Sequence, residues 1–166
     1  MRTNAILADC KSFYYVYCLL EQEGKVPIYE GDQEKFEKEL SCYCKKQMEQ
    51  PAIAIPKWTN GALAAELALK FLFAKEQKIY SKQHCLDDLF YHLPEIHKTE
   101  LLIRIKEQTH QTEEMIEAQL PVFSDAFIKS RYFFEYGTFG LTGLFDPFVK
   151  IVCEYALELT VSPAEI

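Results

Sequence analysis

The sequence predicts an all-α protein built as an antiparallel helical bundle, and three observations carry that prediction. Residues 60–72 are apolar or small around most of a helical circumference, interrupted by Glu66 and Lys70 four positions apart. A helix of that kind has to be surrounded by others. Elsewhere apolar residues recur at helical spacing, while prolines and glycines fall between the periodic stretches. No strand alternation, internal repeat or low-complexity tract breaks the pattern.

Taken in order, residues 4–22 read as a first helix, capped by Asn4, with Ile6, Leu7, Cys10, Phe13, Tyr14, Tyr17, Cys18 and Leu20 facing inward. Pro27 and Gly31 mark a connection. Asp32 then caps a polar, amphipathic helix through Gln50, with Phe36, Leu40, Tyr43 and Cys44 inward. Residues 51–56, Pro-Ala-Ile-Ala-Ile-Pro, predict an extended arm, because each proline lacks an amide hydrogen and disfavours helix before it. The central helix then starts at Thr59 or Asn60 and runs to Lys75, with the single tryptophan, Trp58, stapling its start.

A short helix over 86–92 precedes Leu93-Pro94, and the next helix opens at Pro94 and runs to Glu107. Thr112, followed by Glu113 and Glu114, opens a helix to Leu120 or beyond, which Pro121 kinks or divides from a helix over 123–136. After a glycine-containing loop over 137–143, the last helix spans 147–159. One domain is expected over residues 1–166. Its N-terminal part, residues 1–58, supplies helices and the proline arm, and residues 59–160 supply the main bundle.

The composition is that of a globular chain, with 49% hydrophobic and 26% charged residues. Much of the load of ten tyrosines and twelve phenylalanines must pack internally; the exposed share, notably of Phe133, Tyr136, Phe139 and Phe145, is a candidate contact surface, although core packing is the commoner use of such residues. A net charge of −7 argues against a broad grip on phosphate backbones, which rests on Lys and Arg. His97, Lys98, Arg104, Lys106 and His110 come nearest to a basic face, but Glu95, Glu100 and Glu107 interrupt them, and a solvated mixed-charge face is the expectation.

The six cysteines show no CxxC pair and no zinc-type spacing, so reduced, buried thiols and no metal or other cofactor are expected. Glu113, Glu114 and Glu117 lack an accompanying Glu-x-x-His and read as a solvated face. Ser124 and Ser130 stand in no triad pattern. No run of about 18 apolar residues predicts a membrane span, and Asp9 and Lys11 interrupt the first apolar stretch, which makes a cytoplasmic protein the expectation.

Three motifs, in order, carry a resemblance: Ala64-x-Glu66-Leu67-x-Leu69-Lys70, then His84-x-Leu86-x-x-Leu89-Phe90 ahead of Leu93-Pro94, then Arg131-Tyr132-x-x-Glu135. Over roughly residues 59–160 the chain resembles the HEPN family, the nucleotide-binding domain of higher eukaryotes and prokaryotes; residues 1–58 fall outside the likeness. The resemblance implies a helical bundle that forms homodimers. Many such proteins are metal-independent endoribonucleases of toxin–antitoxin or phage-defence systems, with an Arg-x(4–6)-His motif. In that chemistry a base takes the ribose 2′-hydroxyl proton while arginine stabilises charge on the phosphate.

This chain departs from that pattern, since no histidine follows Arg131 at the required spacing. Arg104 and His110 satisfy the spacing on an earlier helix, and His84 offers a displaced base. The expectation is therefore a catalytically silent binding module for a protein partner, RNA or a nucleotide, with an endoribonuclease as the alternative. Glu66, Lys70, His84, Arg131 and Glu135 are expected to form a buried polar network that sets the register of the bundle.

Overall fold

Helices α1 (Arg2–Glu23) and α2 (Ala54–Gln77) make the most extensive contact among the described residues, as seen in a computed structural model that describes residues 2–23, 31–35, 37–39, 41–42, 54–77, 81–124 and 143–160. The other helices among the described residues are α3 (Leu86–Tyr91), α4 (Glu95–Thr109), α5 (Glu113–Ser124) and α6 (Phe145–Glu158), and helical backbone also occurs within 33–42. Among the described residues there is no strand, and the protein is all-α. No described helix is long and apolar enough to cross a membrane.

The composition of α2 explains its central place. Ala62, Ala64, Ala65, Ala68 and Ala74 are buried together with Leu69, Phe71 and Leu72, so small side chains let neighbours approach on several sides while the larger ones fill between them. It contacts α1, α3 and α6. At Gly61 the approach is closest: a Cβ there would stand 2.8 Å from Cδ2 and 3.0 Å from Cε2 of the buried Tyr17 ring. Cys10 Sγ meets the Ala64 carbonyl at 3.4 Å. Residues 2–23 are thus an integral wall of the core, formed by Leu7, Cys10 and Tyr17 with Ile6, Phe13 and Tyr14 packed beside them.

Helix α6 closes the other side with Phe145, Phe148, Val149, Val152, Cys153 and Ala156 buried. A polar clamp ties three helices together where it begins. The Tyr17 hydroxyl donates to Asp146 Oδ1 at 2.9 Å, Lys57 Nζ donates to Asp146 Oδ2 at 2.8 Å, and the same ammonium lies 5.5 Å from the Tyr17 ring centre. Burial, reinforced by the Asp146 carboxylate, pushes the Tyr17 phenol well above its ordinary range. Farther along, Tyr14 donates to Glu154 at 2.8 Å and Lys150 pairs with Glu21 at 2.8 Å.

Several expectations need correction. Residues 54–56 are not an extended arm: α2 begins at Ala54, so Pro56 sits in its first turn, where amide hydrogens have no intrahelical acceptor and a proline removes nothing. Thr59 and Asn60 consequently do not cap α2. Inside the helix, their side chains donate back to the carbonyls of Ile55 and Pro56 at 2.8 and 2.7 Å, and Trp58, half-buried, packs from within the helix. Pro121 does not end α5, which continues to Ser124; it lies on the solvent side, where water can take the carbonyl it leaves unpaired. Phe145 is buried and offers no surface, and Cys42 is exposed, unlike the buried Cys10 and Cys153. Phe133, Tyr136, Phe139 and the helix over 125–136 lie outside the described residues.

Other expectations match. Asp32 Oδ1 accepts from the Lys35 amide at 3.0 Å as a helix cap, and the Thr112 hydroxyl accepts from Met115 at 3.4 Å ahead of α5.

Candidate functional site

Glu66 is the acid in the middle of α2, and the tight surroundings of that helix leave it only 3% exposed. A carboxylate taken from water needs compensating donors. Lys70, one turn on, donates to Oε1 at 2.7 Å. His84 reaches the same oxygen from the segment before α3, with Nδ1 at 2.9 Å. Oε2 is buried and without a hydrogen-bond partner among the described residues. Lys70 is largely covered, whereas His84 is 65% exposed and lies over the carboxylate from outside.

Of the residues expected in a buried network, Glu66, Lys70 and His84 come together, with His84 exposed and not buried. Its other expected members, Arg131 and Glu135, lie outside the described residues. Chemically, a carboxylate that accepts from Nδ1–H orients the imidazole and leaves Nε2 available on an exposed ring, the arrangement of a positioned base. The same geometry equally pins the 81–85 segment to α2.

Arg104 and His110 do not come together as a pair. Arg104 donates from Nε to Glu100 and from Nη1 to Glu158, each at 2.8 Å, and its guanidinium lies 4.8 Å from the Tyr155 ring centre. The hydrogen bonds to Glu100 and Glu158 raise its pKa further and hold it as a bridge between α4 and α6. His110 is exposed just past the end of α4 in the left-handed region, φ 56°, where its amide closes on the Lys106 carbonyl at 2.8 Å. No hydrogen bond or ion pair joins the two among the described residues.

Sequence reasoning missed a second polar node. His97, expected on a solvated face, is buried; Nδ1 lies 2.8 Å from the Tyr155 hydroxyl and the two rings meet edge to face. With Tyr155 donating to Nδ1, the ring proton sits on Nε2, 3.5 Å from Glu76 Oε1. Desolvation lowers the His97 pKa, with the Glu76 carboxylate opposing it. The signal available in the sequence was position: His97 stands four residues before Leu101 and eight before Ile105 on the face those residues bury. The neighbouring bases do form a solvated mixed face, with Lys98 paired to Glu95 and Lys106 to Glu113.

Ser124, set aside as ordinary, is buried and donates to Asp87 Oδ1, while the Asp87 amide donates to Ser124 Oγ at 3.3 Å, joining α5 to α3. Cys85, Asp87 and Asp88 bring a thiol and two carboxylates within 4.8 Å of one another at the start of α3, the set of described residues best able to approach a cation. Helix geometry accounts for them without one, because acids in a first turn face the positive end of the helix dipole and Asp87 is already engaged by Ser124. Glu113 pairs with Lys106, which agrees with a solvated face.

No family model, no curated protein and no solved structure matches this chain.

Proposed function

We propose that the chain is a HEPN-like helical interaction module that works as a cytoplasmic homodimer and docks a protein partner without catalytic turnover. The observation that carries this reading is that the groups suited to chemistry are engaged with one another. Glu66 Oε1 holds both Lys70 and His84, and Arg104 is held by Glu100 and Glu158. Such pairings fix the relative placement of α2, α4, α6 and the 81–85 segment, which is what a rigid docking scaffold needs. The net charge of −7 makes an RNA or nucleotide ligand the weaker choice beside a protein.

A second reading, a metal-independent endoribonuclease, is favoured by one observation: Glu66 orients an exposed His84 as a base would be oriented. Incubating the purified protein with cellular RNA, with and without chelator, separates the two. The interaction module leaves RNA intact. RNA cleavage that His84→Ala abolishes while the circular-dichroism spectrum stays unchanged would overturn it. Light scattering after size exclusion tests the dimer, and a monomer at micromolar concentration removes that part of the proposal.

A further inference from the structure

Between α4 and α6 lies an open groove of about 690 Å³ lined by Ile103 and Ile151 and by the polar side chains of Glu100, Arg104, Glu107, Gln108 and Glu154. Ile103 is 45% exposed, and Ile96, two turns earlier on the same side of α4, is 69% exposed. The charges on this face are uneven. Arg104 is matched twice, by Glu100 and Glu158. Glu107 has no ion-pair partner among the described residues, and Glu154 receives only the neutral hydroxyl of Tyr14.

A strip of α4 that exposes two isoleucines and borders two unmatched carboxylates complements a helix face that presents apolar side chains flanked by cations, and it repels phosphate. From Ile96 to Glu107 the strip spans about 16 Å at the rise of an α-helix, the length of about three turns. We propose that this groove, together with the exposed Ile96 outside its lining, docks a basic amphipathic helical segment of a protein partner, with its apolar side chains on Ile96 and Ile103 and its Lys or Arg residues on Glu107 and Glu154. The inference rests on the interaction-module reading and names the class of partner. Apolar anchors at i, i+3 or i+4, and i+7 on the partner would seat along the α4–α6 seam, as an amphipathic helix seats in a groove.

The test uses the full chain and three fluorescein-labelled peptides of about 16 residues, slightly longer than the strip. One is an amphipathic Leu/Lys helix, one the same pattern with Glu for Lys, and one a scrambled Leu/Lys sequence of equal composition. Fluorescence anisotropy is expected to show binding of the first alone. E107Q/E154Q should weaken it about tenfold, the combined loss of two rim ion pairs, whereas E114Q/E117Q on α5, an equal change of net charge, should weaken it less than about twofold. No binding, equal binding of the scrambled peptide, or equal weakening by both variant pairs overturns the proposal. So does conversion of a dimer to monomer by the Leu/Lys peptide in light scattering, which would make the groove a contact between copies. RNA cleavage lost in His84→Ala, with peptide binding intact, sinks the functional reading and leaves the groove; failed peptide binding with RNA intact does the reverse.

Discussion

A single carboxylate decides much about the middle of this bundle. Glu66 is buried with one oxygen accepting from both Lys70 and His84, so removing it strands a mostly buried ammonium. Breaking a buried pair from one side costs far more than the pair itself contributes. Glu66→Ala should lower unfolding free energy in urea by about 3 kcal/mol, while Glu66→Met combined with Lys70→Leu, which removes both charges and keeps volume, should lose clearly less. His84→Ala removes an exposed partner and should cost under about 1 kcal/mol. A loss in His84→Ala as large as that in Glu66→Ala would show that the imidazole, and not the lysine, stabilises the buried carboxylate. This node was legible in the sequence because Glu66 and Lys70 stand one helical turn apart in a helix otherwise apolar, and only one face of such a helix can hold them. The clamp of Tyr17, Asp146 and Lys57 was not: its members are separated by up to 129 positions, and helical spacing turns both Tyr14 and Tyr17 inward without marking which of them meets Asp146. The His97–Tyr155 contact, across 58 positions, was hidden for the same reason.

At the scale of elements, the α1–α2 contact depends on the missing side chain at Gly61. A Cβ placed 2.8 and 3.0 Å from the Tyr17 ring collides with an aromatic group that is fully buried and anchored through its hydroxyl to Asp146, so it cannot swing aside. Gly61→Ala gains about 1 kcal/mol of helix propensity but forces the two helices apart, at a cost of about 1–3 kcal/mol. The expected outcome is a net loss of up to about 2 kcal/mol, recovered in part by Tyr17→Leu in the Gly61→Ala background, read as coupling in a double-mutant cycle. Helix positions were the most legible part of the sequence: 86–92 and 147–159 anticipate Leu86–Tyr91 and Phe145–Glu158 closely, because apolar periodicity and flanking breakers agree there. The start of α2 was misread because two prolines were weighed as breakers, although proline breaks a helix only where an amide would have met an acceptor. Pro56 is past the first helical residue but still within the turn that has no acceptors. Pro56→Ala should therefore change the unfolding free energy in urea little, by less than about 0.5 kcal/mol.

For the whole molecule, the buried titrating groups define a window of pH in which the fold is most stable. His97 has its pKa lowered by burial, with Lys75 adding to that effect and Glu76 opposing it. In the unfolded chain the imidazole takes its proton near pH 6.5, and in the folded chain only at lower pH. Between those two values the unfolded state binds more protons, so stability is fully present above about pH 6.5 and falls as the solution is acidified. The opposite edge comes from Cys153, Tyr17 and Tyr155, whose pKa values burial raises. A raised pKa gives stability that is complete below the unfolded value and is lost as pH climbs past it, first for the thiol near about pH 8.5 and then for the phenols near about pH 10. Urea unfolding followed from pH 5 to pH 10 should therefore trace a plateau between about pH 6.5 and pH 8.5 with a decline on each side. In His97→Gln the acid-side decline between about pH 6.5 and pH 5 should flatten while the alkaline edge stays in place, since glutamine keeps a polar side chain beside Tyr155 but titrates nowhere in that range. An acid slope unchanged in that variant would overturn the assignment to His97, because Glu95 and Glu114, whose pKa values are lowered through Lys98 and Thr112, lose their contribution only as pH falls below about 4.5, outside that window.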